Sequence, residues 1–298
     1  MNKEEDSTNS AKSNLNVFAI PLRIVPVARY SKEEDEQKYR NPFAKDRDRI
    51  LYSRAFRRLS GKTQVFLSSN IDDVRTRLTH TLEVNQIAVT IATALNLNTE
   101  LTEAIALGHD VGHTPFGHVG ERTLNRIMNG CDDIGDISAC STLQGFKHNL
   151  QSLRVLCDLE DGNDCMGRGL NLSKYTLWGI VNHSSLDPRT CKLMDDGLCY
   201  EKHRPSTCIR NGQLSCSFYD KYIENIGWNK YWSFEGLIVA QADEIAQRHH
   251  DIEDSLNYNI IKIQMIVELI TKYKDLFISP EDDENYISLL EKQYDEVC

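Results

Sequence analysis

"RTRLTHTLEVNQIAVTIATAL", Arg75–Leu95, decides the fold class. Its apolar residues do not alternate. Leu78, Leu82, Ile87, Ile91 and Leu95 recur at helical spacing, which predicts a long helix. The same period continues on both sides. Upstream, "KDRDRILYSRAFRRLSGKT" places Ile50, Leu51, Ala55, Phe56 and Leu59 on one apolar stripe. Downstream, "NTELTEAIALGHD" opens on Asn98 or Thr99 as N-cap, carries acids in its first turns, and is expected to stop at Gly112. "FEGLIVAQADEIAQRHHDIEDSL" predicts a helix of about six turns. "NIIKIQMIVELITKY" follows as an apolar helix. Strand signals are confined to short runs, "NVFAI" and "LRIVPV". The expected fold class is all-α.

Composition bounds the rest. Of 298 residues, 40% are hydrophobic and 26% charged, the balance of a globular protein. No apolar run approaches the roughly 20 residues of a membrane span, so no membrane partner is expected. Residues 1–16 are polar and acidic without a hydrophobic segment behind them. They read as a disordered tail and not as a secretory signal. The nine cysteines are odd in number and contain no CxxC pair, so the expected location rests mainly on the missing secretory signal: cytoplasmic, with thiols mostly reduced. Residues 17–298 read as one catalytic domain, interrupted at 186–230 by an irregular, cysteine-bearing insertion. There Cys191, Cys199, Cys208 and Cys216 sit near His203, and local thiols are a better reading than a structural zinc.

The net charge of −10 argues against a nucleic-acid-coating surface. Yet residues 38–77 hold eleven Lys/Arg against four acids, a local excess of seven positive charges. Such a segment is either a salt-bridged helix face or a wall of cations near a polyanion.

The chemistry concentrates in "GHDVGHTPFGH", Gly108–His118, where three of nine histidines and an aspartate fall within eleven residues. His109 and Asp110 are adjacent near a helix end. Another imidazole and another carboxylate from other helices would complete a cation site, and His80 and Asp243 are available. Two imidazoles and two carboxylates suit a borderline divalent cation. Each residue alone is weak, since lone helix acids and histidines are ordinarily surface or core residues. Order, spacing and surroundings together raise the set above that.

At this point the chain resembles a known family. "RTRLTHTLEVNQIA" and "EAIALGHDVGHTPFGHVGE" are similar to the HD-domain deoxynucleoside triphosphate triphosphohydrolases, the dGTPase group. "NPFAKDRDRILYSRAFRRLSGKTQVF", "FKHNLQSLRVL", "GLNLSKYTLWGIVNHSS" and "EGLIVAQADEIAQRHHDIEDSL" agree in order, so the likeness covers most of residues 41–256. The resemblance implies a helical HD-domain bundle and one divalent metal, Mn, Mg, Fe, Ni or Zn, on His80, His109, Asp110 and Asp243. It implies a catalytic set of His118, Glu121 and His148, with His148 as the acid, Glu121 orienting its ring and His118 a further donor. Substrate contacts are implied for Arg57, Arg58, Arg77, His113 and Asp251. The reaction implied is hydrolysis of a dNTP to deoxynucleoside and inorganic triphosphate.

The family also implies a homo-oligomer, dimer or hexamer, and weak single-stranded nucleic-acid binding. Gln247 stands where many relatives carry tyrosine, which bears on substrate preference. The C-terminal region is expected to be shortened. Competing readings are another HD-domain nucleotidase or phosphodiesterase, and a non-catalytic dNTP-binding regulator. Intact triphosphate among the products separates the first reading from these.

Overall fold

The computed structural model describes residues 15–22, 28–29, 40–62, 76–128, 145–160, 169–184, 219–227 and 230–273. Among them there is no extended strand, and the expected all-α class holds. No described helix is long and apolar enough to cross a membrane.

Helix α1, Pro42–Leu51, starts where the side chain of Asn41 accepts from the N–H groups of Phe43 and Ala44, with Pro42 in the first turn. The predicted stripe does not continue as one helix. It breaks at Tyr52 and restarts as α2, Arg54–Arg57, then tightens into a 3₁₀ turn, Arg58–Gly61. The break has a partner: buried Glu160 accepts from the N–H groups of Arg54 and Ala55 at 2.9 and 2.7 Å, and Ser53 caps Phe56. Ile50, Ala55, Phe56 and Leu59 are buried as expected, while Leu51 is exposed.

Helix α3, Arg77–Ala94, is capped by Thr76 and Thr79 in a reciprocal box. Its buried line is His80, Val84, Ala88 and Ala92, spaced by four, with Leu82 and Leu95 about half exposed. Small residues on that line let α3 lie close against α4, Thr99–Gly108. Asn98 is the N-cap of α4, accepting from the Leu101 N–H. Leu101, Ala104, Ile105, Ala106 and Leu107 are all buried, because α4 is packed by α1, α3 and α7. It ends at Gly108, earlier than the expected Gly112.

After a turn through Phe116 and Gly117, both at positive φ, α5 runs Gly117–Met128. Helix α6, His148–Arg154, passes into a π-helical turn, Val155–Leu159. Helix α7, Lys174–Asn182, is tied to α1 through buried Asp46, which accepts from Arg29, the Ser173 N–H and the Thr176 hydroxyl. Helix α8, Asp220–Ile226, packs on α7 and buries Tyr222 and Ile226, so the end of the region read as an irregular insertion is helical. Cys191, Cys199, Cys208, Cys216 and His203 lie outside the described residues.

Helix α9, Phe234–Asn257, has 24 residues, close to the expected length. Helix α10, Ile263–Lys272, begins later than expected, after Asn259 at positive φ, and buries none of its side chains. The chain divides into two compact units, Met1–Ala246 and Gln247–Cys298. The larger holds the core and every residue of the site described next, including Asp243.

Candidate metal centre and its histidine neighbours

Three elements bring acids and imidazoles together: the first turn of α3 with His80, the end of α4 with His109 and Asp110, and α9 with Asp243. The Nδ1–H of His109 donates to the Ala106 carbonyl at 2.7 Å. A neutral imidazole then presents a lone pair at Nε2. That nitrogen is buried and has no hydrogen-bond partner among the described residues. What it faces is negative: Asp243 Oδ1 at 3.8 Å and Asp110 Oδ1 at 3.9 Å. His80 Nε2 lies 3.0 Å from the same Asp243 oxygen. A lone pair aimed at carboxylate oxygens is repulsive until a cation sits among them, so this donor set fits a divalent metal.

The other oxygen of Asp110 is ion-paired with the buried Arg77 guanidinium. Burial alone would push the Asp110 carboxyl up, but Arg77 and the imidazoles of His113, His109 and His148 hold it well below the usual range. For Asp243 burial is likewise outweighed, by the His80 hydrogen bond and by His109 and His183, and its carboxyl is also held below the usual range. Both acids are therefore ready as anions. Lys62 adds a further cation, its Nζ donating to the His113 carbonyl at 2.6 Å. Burial, then Arg77 and Arg58, lower its pKa, while Asp110 raises it.

A second group surrounds Glu121 on α5. Its Oε2 accepts from His148 Nδ1 at 2.7 Å and lies 3.5 Å from His118 Nδ1, and its Oε1 is 3.7 Å from Lys147 Nζ. Burial would raise the Glu121 carboxyl, but His118, His148 and Lys147 hold it below the usual carboxylate range. His113 stacks on His148, with ring centroids 4.5 Å apart and planes 25° off parallel. Burial pushes the His113 imidazole well down, so it is neutral near pH 7. His118 is the accessible member, with 68% of its side chain exposed.

Gly112 explains how α6 carries His148 into this neighbourhood. A Cβ there would stand 2.2 Å from the Ser152 amide nitrogen and 2.5 Å from the His148 carbonyl. Ser152 Oγ accepts from the Gly112 N–H at 2.9 Å and lies 3.0 Å from the His109 carbonyl. The first turn of α6 thus packs directly against the backbone at Gly112.

The structure therefore brings together His80, His109, Asp110, Asp243, His113, His118, Glu121, His148 and Arg77. Arg77 is directed at Asp110, not outward. Arg57 and Arg58 are exposed, with Arg57 donating to the Tyr52 carbonyl. Asp251 is exposed in the smaller unit and accepts from Gln247 at 2.9 Å. Sequence reasoning gave no role to His183, at the end of α7. Its Nδ1 donates to the Ile180 carbonyl at 2.6 Å, and its Nε2 lies 3.2 Å from His148 Nε2. Burial, then His109 and His148, lower its pKa to about 4. The available signal was a histidine closing the apolar helix "YTLWGIVNH".

Part of the chain matches a known family model, and most of it matches known proteins. The HD domain model matches residues 77–164, which include His80, His109, Asp110 and His148. The chain carries an HD domain there, and the buried cluster of His80, His109 and Asp110 lies within it. It is 43% identical over 232 residues to the deoxyguanosinetriphosphate triphosphohydrolase-like protein of Caldanaerobacter subterraneus subsp. tengcongensis, covering 78% of this chain and 51% of that one. It is 41% identical over 236 residues to a protein of the same description from Caulobacter sp., covering 79% and 52%. For the one from Rickettsia canadensis the identity is 40% over 240 residues, covering 80% and 54%. The chain belongs to this dGTPase-like HD-domain family. It spans about half the length of the curated relatives it matches.

Proposed function

We propose that this protein hydrolyses deoxynucleoside triphosphates at the α-phosphorus, releasing deoxynucleoside and inorganic triphosphate. The observation that carries the reading is the buried His109 Nε2, facing the carboxylates of Asp110 and Asp243 beside imidazoles already held by Glu121. His80, His109, Asp110 and Asp243 would hold one divalent ion, drawn from Mn, Mg, Fe, Ni or Zn. Bound there, it supplies Lewis acidity toward the α-phosphoryl group and the attacking water.

The chain's own residues do the rest. Arg77 fixes the Asp110 carboxylate, leaving its other oxygen toward His109. Water adds its oxygen to the α-phosphorus, the P–O5′ bond breaks, and the 5′-oxygen must take a proton. The imidazoles on Glu121, His148 and His118, supply it, since a carboxylate partner stabilises the protonated ring. A triphosphate carries about four negative charges, and Lys62, Arg57 and Arg58 with their neighbours in residues 38–77 provide the compensating field. The family names support a nucleotide substrate. In the same reading the protein is a cytoplasmic homo-oligomer with weak single-stranded nucleic-acid binding.

The test is product analysis. Incubation with each dNTP and Mn, resolved by ion exchange, is expected to give deoxynucleoside and intact triphosphate in equal amounts. Orthophosphate or a nucleoside monophosphate as the first product would overturn the reading.

A further inference from the structure

Glu235, in the first turn of α9, is fully buried and has no part in the chemistry above. Its Oε1 accepts two backbone N–H groups from distant segments, Ile20 at 3.0 Å and Asn98 at 3.1 Å. Its Oε2 is buried with no hydrogen-bond partner among the described residues. Asn98 is the N-cap of α4, and its Nδ2 donates to the Ile20 carbonyl at 2.9 Å, which closes a three-way junction. Burying a carboxyl group is costly, so a single oxygen holding two segments marks a position under constraint.

Helices α4 and α9 leave this junction in the same direction, since they meet again where His109 Nε2 lies 3.8 Å from Asp243 Oδ1. Asp243 stands about 12 Å along α9 from Glu235 at 1.5 Å of rise per residue. The apolar line of α9, Val239, Ala242 and Ala246, is buried, and a Cβ on Gly236 would come within 3.3 Å of the Gly179 backbone. Such packing is non-directional and resists separation better than sliding. The two hydrogen bonds to Glu235 are directional and fix α9 along its axis relative to the start of α4. Metal ligands must sit within about 0.2 Å of their required distances, so axial position decides whether Asp243 joins His80 and His109.

We propose that Glu235 is a positioning residue for the metal centre: by pinning the start of α9 to the N-cap of α4, it sets where Asp243 stands against His80 and His109. The inference rests on the metal site of the proposed function. It requires an oxygen at the place of Oε1 and not the negative charge, because only that oxygen is used.

The experiment is Mn(II) binding to the full chain after chelator stripping, read by calorimetry and by the electron paramagnetic resonance line shape of the bound ion, well below the thermal midpoint. Glu235→Ala is expected to bind Mn about 10–100-fold more weakly, with an altered line shape. Glu235→Gln keeps an oxygen for both N–H groups and is expected to match wild type. Glu235→Asp keeps the charge, draws its oxygens back by one methylene, and is expected to bind weakly, as alanine does. Ile226→Ala, which empties a buried position on α8 outside the site, is expected to lower the thermal midpoint and leave the line shape alone. Wild-type affinity and line shape in a folded Glu235→Ala or Glu235→Asp chain overturn the inference. A Glu235→Gln chain as weak as alanine, or the same altered line shape in Ile226→Ala, overturns it too. The aspartate and glutamine variants decide the matter where the alanine variant fails to fold. A wild type that binds no Mn removes the metal reading and this inference with it, whereas Mn-binding wild type with unaltered variants removes the inference alone.

Discussion

The two groups of acids and imidazoles differ in how complete they are without a ligand. Around Glu121, both carboxylate oxygens face hydrogen-bond donors or cations, and His113 stacks on His148. Around His109, a buried nitrogen without a hydrogen-bond partner among the described residues faces carboxylate oxygens nearly 4 Å away. The Glu121 carboxylate is met by imidazole and ammonium groups, whereas the carboxylates facing His109 Nε2 call for a cation. Charge balance, more than residue type, separates a proton-handling cluster from a metal-binding one, since histidine and acid occur in both.

The most severe way to break that comparison is to empty the second group. Asp110→Ala removes one ligand and leaves the Arg77 guanidinium buried without its carboxylate. Turnover is expected to fall by more than about 10³-fold, which is about 4 kcal/mol of transition-state stabilisation. Inductively coupled plasma analysis should find the metal lost. Wild-type metal content and rate in this variant would remove Asp110 from the site. His148→Ala strikes the first group instead. The ion on His80, His109, Asp110 and Asp243 is expected to remain while kcat falls by about 10²–10⁴-fold, the usual contribution of a proton-handling group. Equal rates in variant and wild type would refute any role for His148 in turnover.

How much of this was legible in the sequence follows the same division. The helical class was readable because the period of "RTRLTHTLEVNQIA" and its neighbours is a local property. The break between α1 and α2 was not, because it depends on Glu160, more than a hundred residues away, binding the freed N–H groups. The buried line of α3 also departed from the apolar one: alanines face α4 because the helices approach closely, and Leu82 is left outside. At the site, His80, His109, Asp110 and Asp243 stood out through motif and order. His183 did not, since only the fold places the end of α7 against the first turn of α6. Arg77 was expected near phosphate, and its burial against Asp110 is a tertiary outcome that no spacing predicts.

Two further substitutions sharpen the contrast. Glu121→Gln keeps a group of similar shape but removes the charge that holds His148 and His118. A loss in kcat of about 10–100-fold with little change in KM is expected, typical of a residue that orients a reacting or ligating imidazole. An unchanged kcat would mean that the rings are held by packing alone. Gly112→Ala tests how tightly the two groups are joined. The added methyl would meet the backbone of Ser152 and His148 at 2.2–2.5 Å, and backbone cannot yield as a side-chain tip can. Overpacking of this kind costs about 1–3 kcal/mol, so thermal denaturation should show a midpoint lower by several degrees. An unshifted midpoint would contradict the close packing of α6 on residues 109–113.

The smallest effect is expected at the rim. Arg57 is exposed and its guanidinium donates to the Tyr52 carbonyl, so its removal should leave folding within about 0.5 kcal/mol of wild type. If the positive segment acts as a field on the triphosphate, Arg57→Ala raises KM a few-fold and leaves kcat and metal content unchanged, because the same attraction acts on substrate and transition state. The effect should shrink as salt is added, since an exposed charge is screened within about 10 Å at 0.1 M ionic strength. A KM that neither rises nor responds to salt would assign Arg57 to the solvated face of α2 and leave the field to Lys62 and Arg58.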